Sequence, residues 1–258
     1  MRKTVITIIV LFVGIFSFAQ SNVFTKENNF GFGTGFMAKD ALIDVIPAIE
    51  LPPAEPTLQD SLFYFEGLRI RRENQGRFAA AAQDAVWSIE ALSSFSEAVG
   101  IEISAENTPE LWYLVSEAVQ DTDNLIVAIK SLYFRQRPYM RWEEPDDGVA
   151  DRDRLAETSS SPSGHSGLAA TIVSILLEIY PSRAAEIIKR GNEFIDARWI
   201  LGFHYKSDCE LGKQLGGYAV SVLHSNYEFQ HQLLRAKDEA FKLAKTNHPC
   251  FSGIHSTN

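Results

Sequence analysis

Three short stretches of the chain hold residue types whose spacing could do chemistry together. The first runs Ser159–Gly167 and reads Ser-Ser-Ser-Pro-Ser-Gly-His-Ser-Gly. Pro162 punctuates the loop, Ser163 is a good helix N-cap, and Gly164 can take a backbone conformation that a side chain forbids. A loop that enters a helix this way aims several backbone N–H groups at one point, at the positive end of the helix. That geometry suits an anion, phosphate above all. His165, just inside the helix, would stand beside it. By itself the stretch reads equally well as a capped helix with a surface histidine.

The second stretch holds Lys130 and Arg137. Seven residues is nearly two helical turns, which puts both on one expected face with Val119, Ile126 and Phe134. Two like charges on a partly apolar stripe are costly unless an anion sits between them. The alternative is a pair of snorkelling cations at a helix C-terminus. In the third stretch Arg198 continues the stripe of Ile188, Gly191 and Ile195, where it needs either an anion or a structural salt bridge. His204 and Asp208 follow at the start of a helix. A carboxylate there can take a hydrogen bond from one imidazole nitrogen, fix the tautomer and leave the other nitrogen free to attack.

The elements that must position these groups are helical. Leu58, Leu62, Phe65 and Ile70 mark a helix over 58–73, broken at Gly76, and the alanine-rich Phe78–Phe95 reads as another. Thr108 and Pro109 open a long helix with apolar residues from Leu111 to Leu132. It should end at Arg137 or one turn earlier, because the residue before Pro138 is pushed out of helical conformation. Trp142–Ser161 is charged and reads as a solvated loop. Leu168–Ile179 reads as a buried helix; a further helix runs from Pro181 to Gly202. Ser207 and Glu210 have capping-box spacing for a helix to about His224. A last helix covers about Glu228–Lys245. Strand-like alternation is scarce and there are no repeats. These signs predict an all-α single domain over 58–246, with a glycine- and proline-rich extended arm at 20–57 and a tail at 247–258.

Taken in order, Lys-x6-Arg-Pro (Lys130 to Pro138), Pro-Ser-Gly-His (Pro162 to His165) and Arg-x5-His-x3-Asp (Arg198 to Asp208) resemble the phosphatidic acid phosphatase type 2 (PAP2) superfamily. Within it the chain looks most like the bacterial class A non-specific acid phosphatases. Leu51-Pro52-Pro53, the Gln75–Ala85 stretch, the glycine-rich Gly212–Gly217 and Phe229–Ala240 share the likeness. One departure is Ala197 before Arg198, where that family usually has serine. The resemblance implies a helical bundle of the acid phosphatase–haloperoxidase type that hydrolyses phosphate monoesters without metal or other cofactor. It implies that Lys130, Arg137, Arg198, Ser163 and the Gly164 N–H hold phosphate. His204 would be the nucleophile, Asp208 its orienting partner, and His165 the proton donor and later the base. His224, His231, His248 and His255 fall outside the motifs and read as surface groups. A vanadate-dependent haloperoxidase and a non-catalytic phosphate-binding protein remain as alternatives.

Composition limits the setting. The chain of 258 residues has a formal charge of -9, which argues against a nucleic-acid partner. Met1-Arg2-Lys3, an apolar run from Val5 to Phe18 and small residues to Ala19 read as a signal peptide over 1–19. Removal of that segment predicts a periplasmic or secreted protein. Beyond it the longest uncharged run, about Ser166–Leu177, is too short to span a bilayer. Export would permit a Cys209–Cys250 disulfide. A homo-oligomer is possible.

Overall fold

A computed structural model of the chain describes residues 30–144 and 152–246, and the expected all-α architecture is found, with no strand among these residues. In chain order the helices are α1 (Leu58–Glu73), α2 (Gln75–Gln83), α3 (Ser96–Val99), α4 (Pro109–Leu132), α5 (Pro138–Arg141), α6 (Arg152–Leu155), α7 (Gly164–Ile179), α8 (Ala184–Ile200), α9 (Lys206–Leu223) and α10 (Tyr227–Thr246). Short 3-10 turns cover Ile43–Ala48, Ile89–Phe95 and Pro181–Arg183.

Helix α7 lies at the centre, packed on α4, α8 and α9. Its sequence explains why. It is apolar almost all round, with Leu168, Ala169, Ile172, Ile175 and Leu176 buried, and such a helix must be covered on several sides. Helix α9 comes closest. A Cβ added at Gly212 would lie 2.2 Å from the Ser163 carbonyl oxygen, and one at Gly216 would lie 2.6 Å from that of Gly167. The two glycines, four residues apart, form one bare stripe that lets the helices touch. Helix α4 closes another side. Its first N–H groups, on Glu110 and Leu111, donate to the Glu239 carboxylate of α10, which supplies the cap that Thr108 does not.

The arm crosses α4. The N–H groups of Thr34 and Gly35 donate to Glu117, and those of Phe36 and Met37 to Asp121. Two acidic residues of one helix thus hold four successive N–H groups of an irregular segment.

Several sequence expectations are corrected here. On α1, Leu58, Leu62 and Phe65 face outward, and the buried face carries Asp60, Tyr64, Gly67, Ile70 and Arg71. The alanine-rich helix is two pieces, α2 and a 3-10 turn, separated by irregular chain. Helix α4 ends at Leu132, so Arg137 is not on it but caps α5, and Phe134 is exposed. Ile188 likewise faces out of α8. Of the segment 142–161, the described residues are not simply a solvated loop. Glu144 pairs with Arg71 and Arg152, all three buried, and Ser159, Ser160 and Ser161 are buried too. Ser207 does not cap α9; Asp208 does, accepting the Tyr205 N–H at 2.9 Å, while Glu210 pairs with Lys206. His224 pairs with Glu178. Cys209 is fully buried. Cys250, His248, His255 and the expected signal peptide at 1–19 lie outside the described residues, as does 145–151 of the charged segment.

Candidate active site

At the N-terminal end of α7 a cavity of about 620 Å³ opens between α4, the end of α8 and the arm. Lys130, Arg137, Gly164, His165, Arg198 and His204 all line it. Six of the eight residues singled out in the sequence thus converge, from three separate stretches. Ser163 and Asp208 stand behind the wall, each fully buried.

The loop before α7 is held from two sides. The Ser160 N–H donates to the Arg135 carbonyl, the Arg135 N–H to Ser159 Oγ, and the Ser163 N–H to the Asp208 carbonyl at 3.0 Å. Ser163 then caps α7 through the Ser166 N–H. The first turn of the central helix is therefore anchored to the start of α9 before any ligand arrives.

The cations are aimed by neutral groups. Arg137 Nε donates to the Leu155 carbonyl at 2.9 Å, Nη1 to the Phe203 carbonyl at 3.1 Å, and Nη2 to Thr158 Oγ1 at 2.8 Å and the Ser159 carbonyl at 3.2 Å. Lys130 Nζ donates to the Ser159 carbonyl as well. Among the described residues neither Lys130 nor Arg137 has a carboxylate ion partner. Burial pulls the Arg137 guanidinium down to about 10. Burial, with Arg137 nearby, pulls the Lys130 ammonium well below its usual range. A dianion between them would relieve both effects. Arg198 is buried, its guanidinium carbon 4.7 Å from the centre of the Phe203 ring. Ala197, its departure from the family pattern, faces the apolar core.

His204 reaches the cavity by a turn. Gly202 takes a φ of +74°, open to glycine and strained for other residues. The N–H groups of Phe203 and His204 then fold back onto the Arg198 carbonyl. Nδ1 of His204 lies 2.6 Å from the Ser160 carbonyl oxygen. A carbonyl only accepts, so Nδ1 carries the hydrogen and Nε2 keeps its lone pair. Nε2 faces Arg137 Nη1 at 3.4 Å. The expected orienting bond from Asp208 is therefore corrected. Asp208 takes the Ser160 hydroxyl, the Tyr205 N–H and Arg135 Nη1, and it stands one residue removed from the imidazole.

His165 Nε2 lies 3.1 Å from the Ala85 carbonyl, its ring 4.9 Å from that of Trp87. By the same logic a second proton would enter at Nδ1. Burial first, then the cations Arg198, Arg137 and Lys130, push His165 well below 6.5. His204 is pushed the same way by burial, Arg137, Lys130 and Arg198. Both shifts favour the neutral rings, and a phosphate dianion beside the same cations would favour a proton on His165.

Sequence reasoning missed Arg135 and Asp60. Arg135 is wholly buried, bridges Asp60 at 2.9 Å and Asp208, and lies 4.2 Å from the Tyr205 ring. Asp60 also accepts from the N–H and hydroxyl of Ser207. The available signal was Arg135 itself, a third cation among Lys130 and Arg137 in a run expected to be helical.

Residues 109–231 match the PAP2 superfamily. The chain is 33% identical to a non-specific acid phosphatase of Providencia stuartii over 214 residues, covering 81% of this chain and 86% of that protein. It is 31% identical to a non-specific acid phosphatase of Salmonella typhimurium, covering 74% and 78%. An acid phosphatase of Zymomonas mobilis is 29% identical, covering 67% and 66%. With its three motifs gathered around one cation-lined cavity, the chain belongs to the PAP2 superfamily, as an acid phosphatase of that type.

Proposed function

We propose that this enzyme hydrolyses phosphate monoesters through a covalent phosphohistidine on His204. The observation that carries the reading is the His204 ring itself, its Nδ1 hydrogen fixed on the Ser160 carbonyl and its Nε2 lone pair turned toward Arg137. Lys130, Arg137 and Arg198, with the Gly164 N–H, bind the phosphoryl oxygens, while Ser163 holds the first turn of α7 from behind the wall. Phosphoryl transfer is mostly positioning and charge stabilisation. Nε2 attacks phosphorus, the ester P–O bond breaks, and protonated His165 gives its proton to the leaving alcohol. Neutral His165 then takes a proton from a water molecule, whose oxygen attacks the phosphohistidine and releases phosphate. Asp208, through Arg135 and Ser160, holds the loop against α9.

The three cations supply the charge stabilisation, so the reaction needs no metal ion. Hydrolysis of an aryl phosphate should be nearly unchanged by EDTA and inhibited competitively by vanadate or phosphate. Loss of most activity on chelation, with recovery on adding a divalent ion, would overturn that part. Turnover of a radioactive phosphate ester, stopped by a rapid acid-free quench, tests the intermediate; the label left on the chain should be acid-labile and base-stable. The leader at 1–19 supports export to the periplasm or medium, and the N-terminal sequence of protein recovered outside the cytoplasm checks it.

A further inference from the structure

Asp123 is a carboxylate in a cavity otherwise furnished for anions. It lines the same cavity as Lys130, His165 and His204. It lies on α4 seven residues before Lys130, on nearly the same face and about 10 Å away along the helix axis. Ile126 and Val127 line the wall between them. The same cavity also has apolar lining from Phe30, Phe78, Val86 and Trp87.

Among the described residues Asp123 makes no hydrogen bond and no ion pair. Burial pushes its carboxyl up to about 6, with Lys130 and Lys39 pulling the other way at longer range. A recessed carboxylate without a partner is costly, and a phosphate beside it would make that worse. The group it can serve is at the other end of the substrate. A phosphate held at Lys130 leaves the organic part to run past Ile126 and Val127 toward Asp123.

We propose that Asp123 selects the leaving alcohol, accepting a hydrogen bond from a hydroxyl or ammonium group on the organic part of a phosphomonoester and repelling a second anion there. This rests on the phosphatase reading above. The substrates it favours are monoesters of polyhydroxylated or amine-bearing alcohols with an apolar or aromatic body; those it disfavours carry a carboxylate or a second phosphate at that distance.

The test uses purified enzyme and three esters of similar shape: phenyl phosphate, 4-(aminomethyl)phenyl phosphate and 4-carboxyphenyl phosphate. The wild type should prefer the aminomethyl over the carboxy ester in kcat/KM by about ten- to a hundred-fold, the range for a hydrogen bond to a charged group. Asp123→Asn should bring that ratio close to one, and Asp123→Glu should keep most of it. Melting curves check that both variants fold. An unchanged ratio in Asp123→Asn would overturn the proposal. So would an equal fall for all three esters, which would make Asp123 a positioning group for Lys130. A wild type that hydrolyses none of the three would overturn the phosphatase reading underneath.

Discussion

Nδ1 of His204 rests on the backbone carbonyl of Ser160 at 2.6 Å. The Ser160 side chain turns the other way, to the Asp208 carboxylate. The tautomer of His204 is therefore set by a peptide group, and Asp208 acts on that peptide group's position. This separates the enzyme from a triad in which the carboxylate meets the imidazole, where the amide replacement costs about 10⁴ in kcat through the wrong tautomer. Asp208→Asn should lower kcat of the folded enzyme by about tenfold or less. Its main effect should fall on stability, by about 3–5 kcal/mol, because Arg135 loses one of two buried partners. Denaturant melts beside kcat at saturating substrate decide it; a loss near 10⁴ with unchanged stability would restore Asp208 to direct contact.

The two histidines should part company in labelling. His204→Ala removes the proposed attacking nitrogen, so turnover should fall on the order of a million-fold with every substrate and no phosphoenzyme should form. His165→Ala should cost roughly a hundred- to ten-thousand-fold with an alkyl phosphate. With p-nitrophenyl phosphate the leaving group needs little help, so the first step is partly spared while the second still lacks its base. Quenched His165→Ala should thus accumulate the phosphoenzyme. If His204→Ala labels and His165→Ala does not, the roles are reversed.

Stability should fall with acid because of the same two rings. Both are held below 6.5 in the folded chain but titrate near 6.5 in the unfolded chain. As pH drops through 6.5 the unfolded state takes up protons that the folded state refuses, so stability is lost; above 6.5 the contribution is flat. Asp121 and Asp123, pushed up to about 6 by burial, work in the opposite sense, so the comparison must be with a variant. Tm of the wild type should fall more steeply between pH 7 and 5 than that of the His165→Gln/His204→Gln double variant, and saturating phosphate should flatten the wild-type curve. Parallel curves for the two proteins would contradict the assignment.

Two glycines of α9 should respond oppositely to the same change. Gly212→Ala places a methyl group against the Ser163 carbonyl and must shift the cap and first turn of α7, which carry Gly164 and His165. A loss of about 1–3 kcal/mol is expected from such overpacking, with a fall in kcat/KM. At Gly217 nothing lies within 4 Å of an added Cβ, so Gly217→Ala should stabilise by up to about 1 kcal/mol through helix propensity. Thermal melts of the pair, with kcat/KM for phenyl phosphate, check this; equal effects would mean the close approach of α7 and α9 is not what holds the loop.

The sequence by itself determined the helical class, most helix positions and six residues that line one cavity. Those follow from local patterns: apolar residues at helical spacing, the Ser163 cap, Pro109 and Pro138 as punctuation, and three motifs whose residue types fit one anion. It also suggested the wrong geometry for two of them. Spacing placed Lys130 and Arg137 on one helix, but the chain leaves α4 at Leu132, and Arg137 returns to the cavity held by carbonyls of 155, 158, 159 and 203. Spacing paired His204 with Asp208, but a three-dimensional neighbour, Ser160, took the bond. The buried Asp60–Arg135–Asp208 bridge and the position of Asp123 in the cavity wall were likewise decided only by tertiary structure. Each depends on which distant groups the packed helices bring together. A pattern along one helix carries no record of that, because a buried donor is satisfied by whatever acceptor the fold brings near.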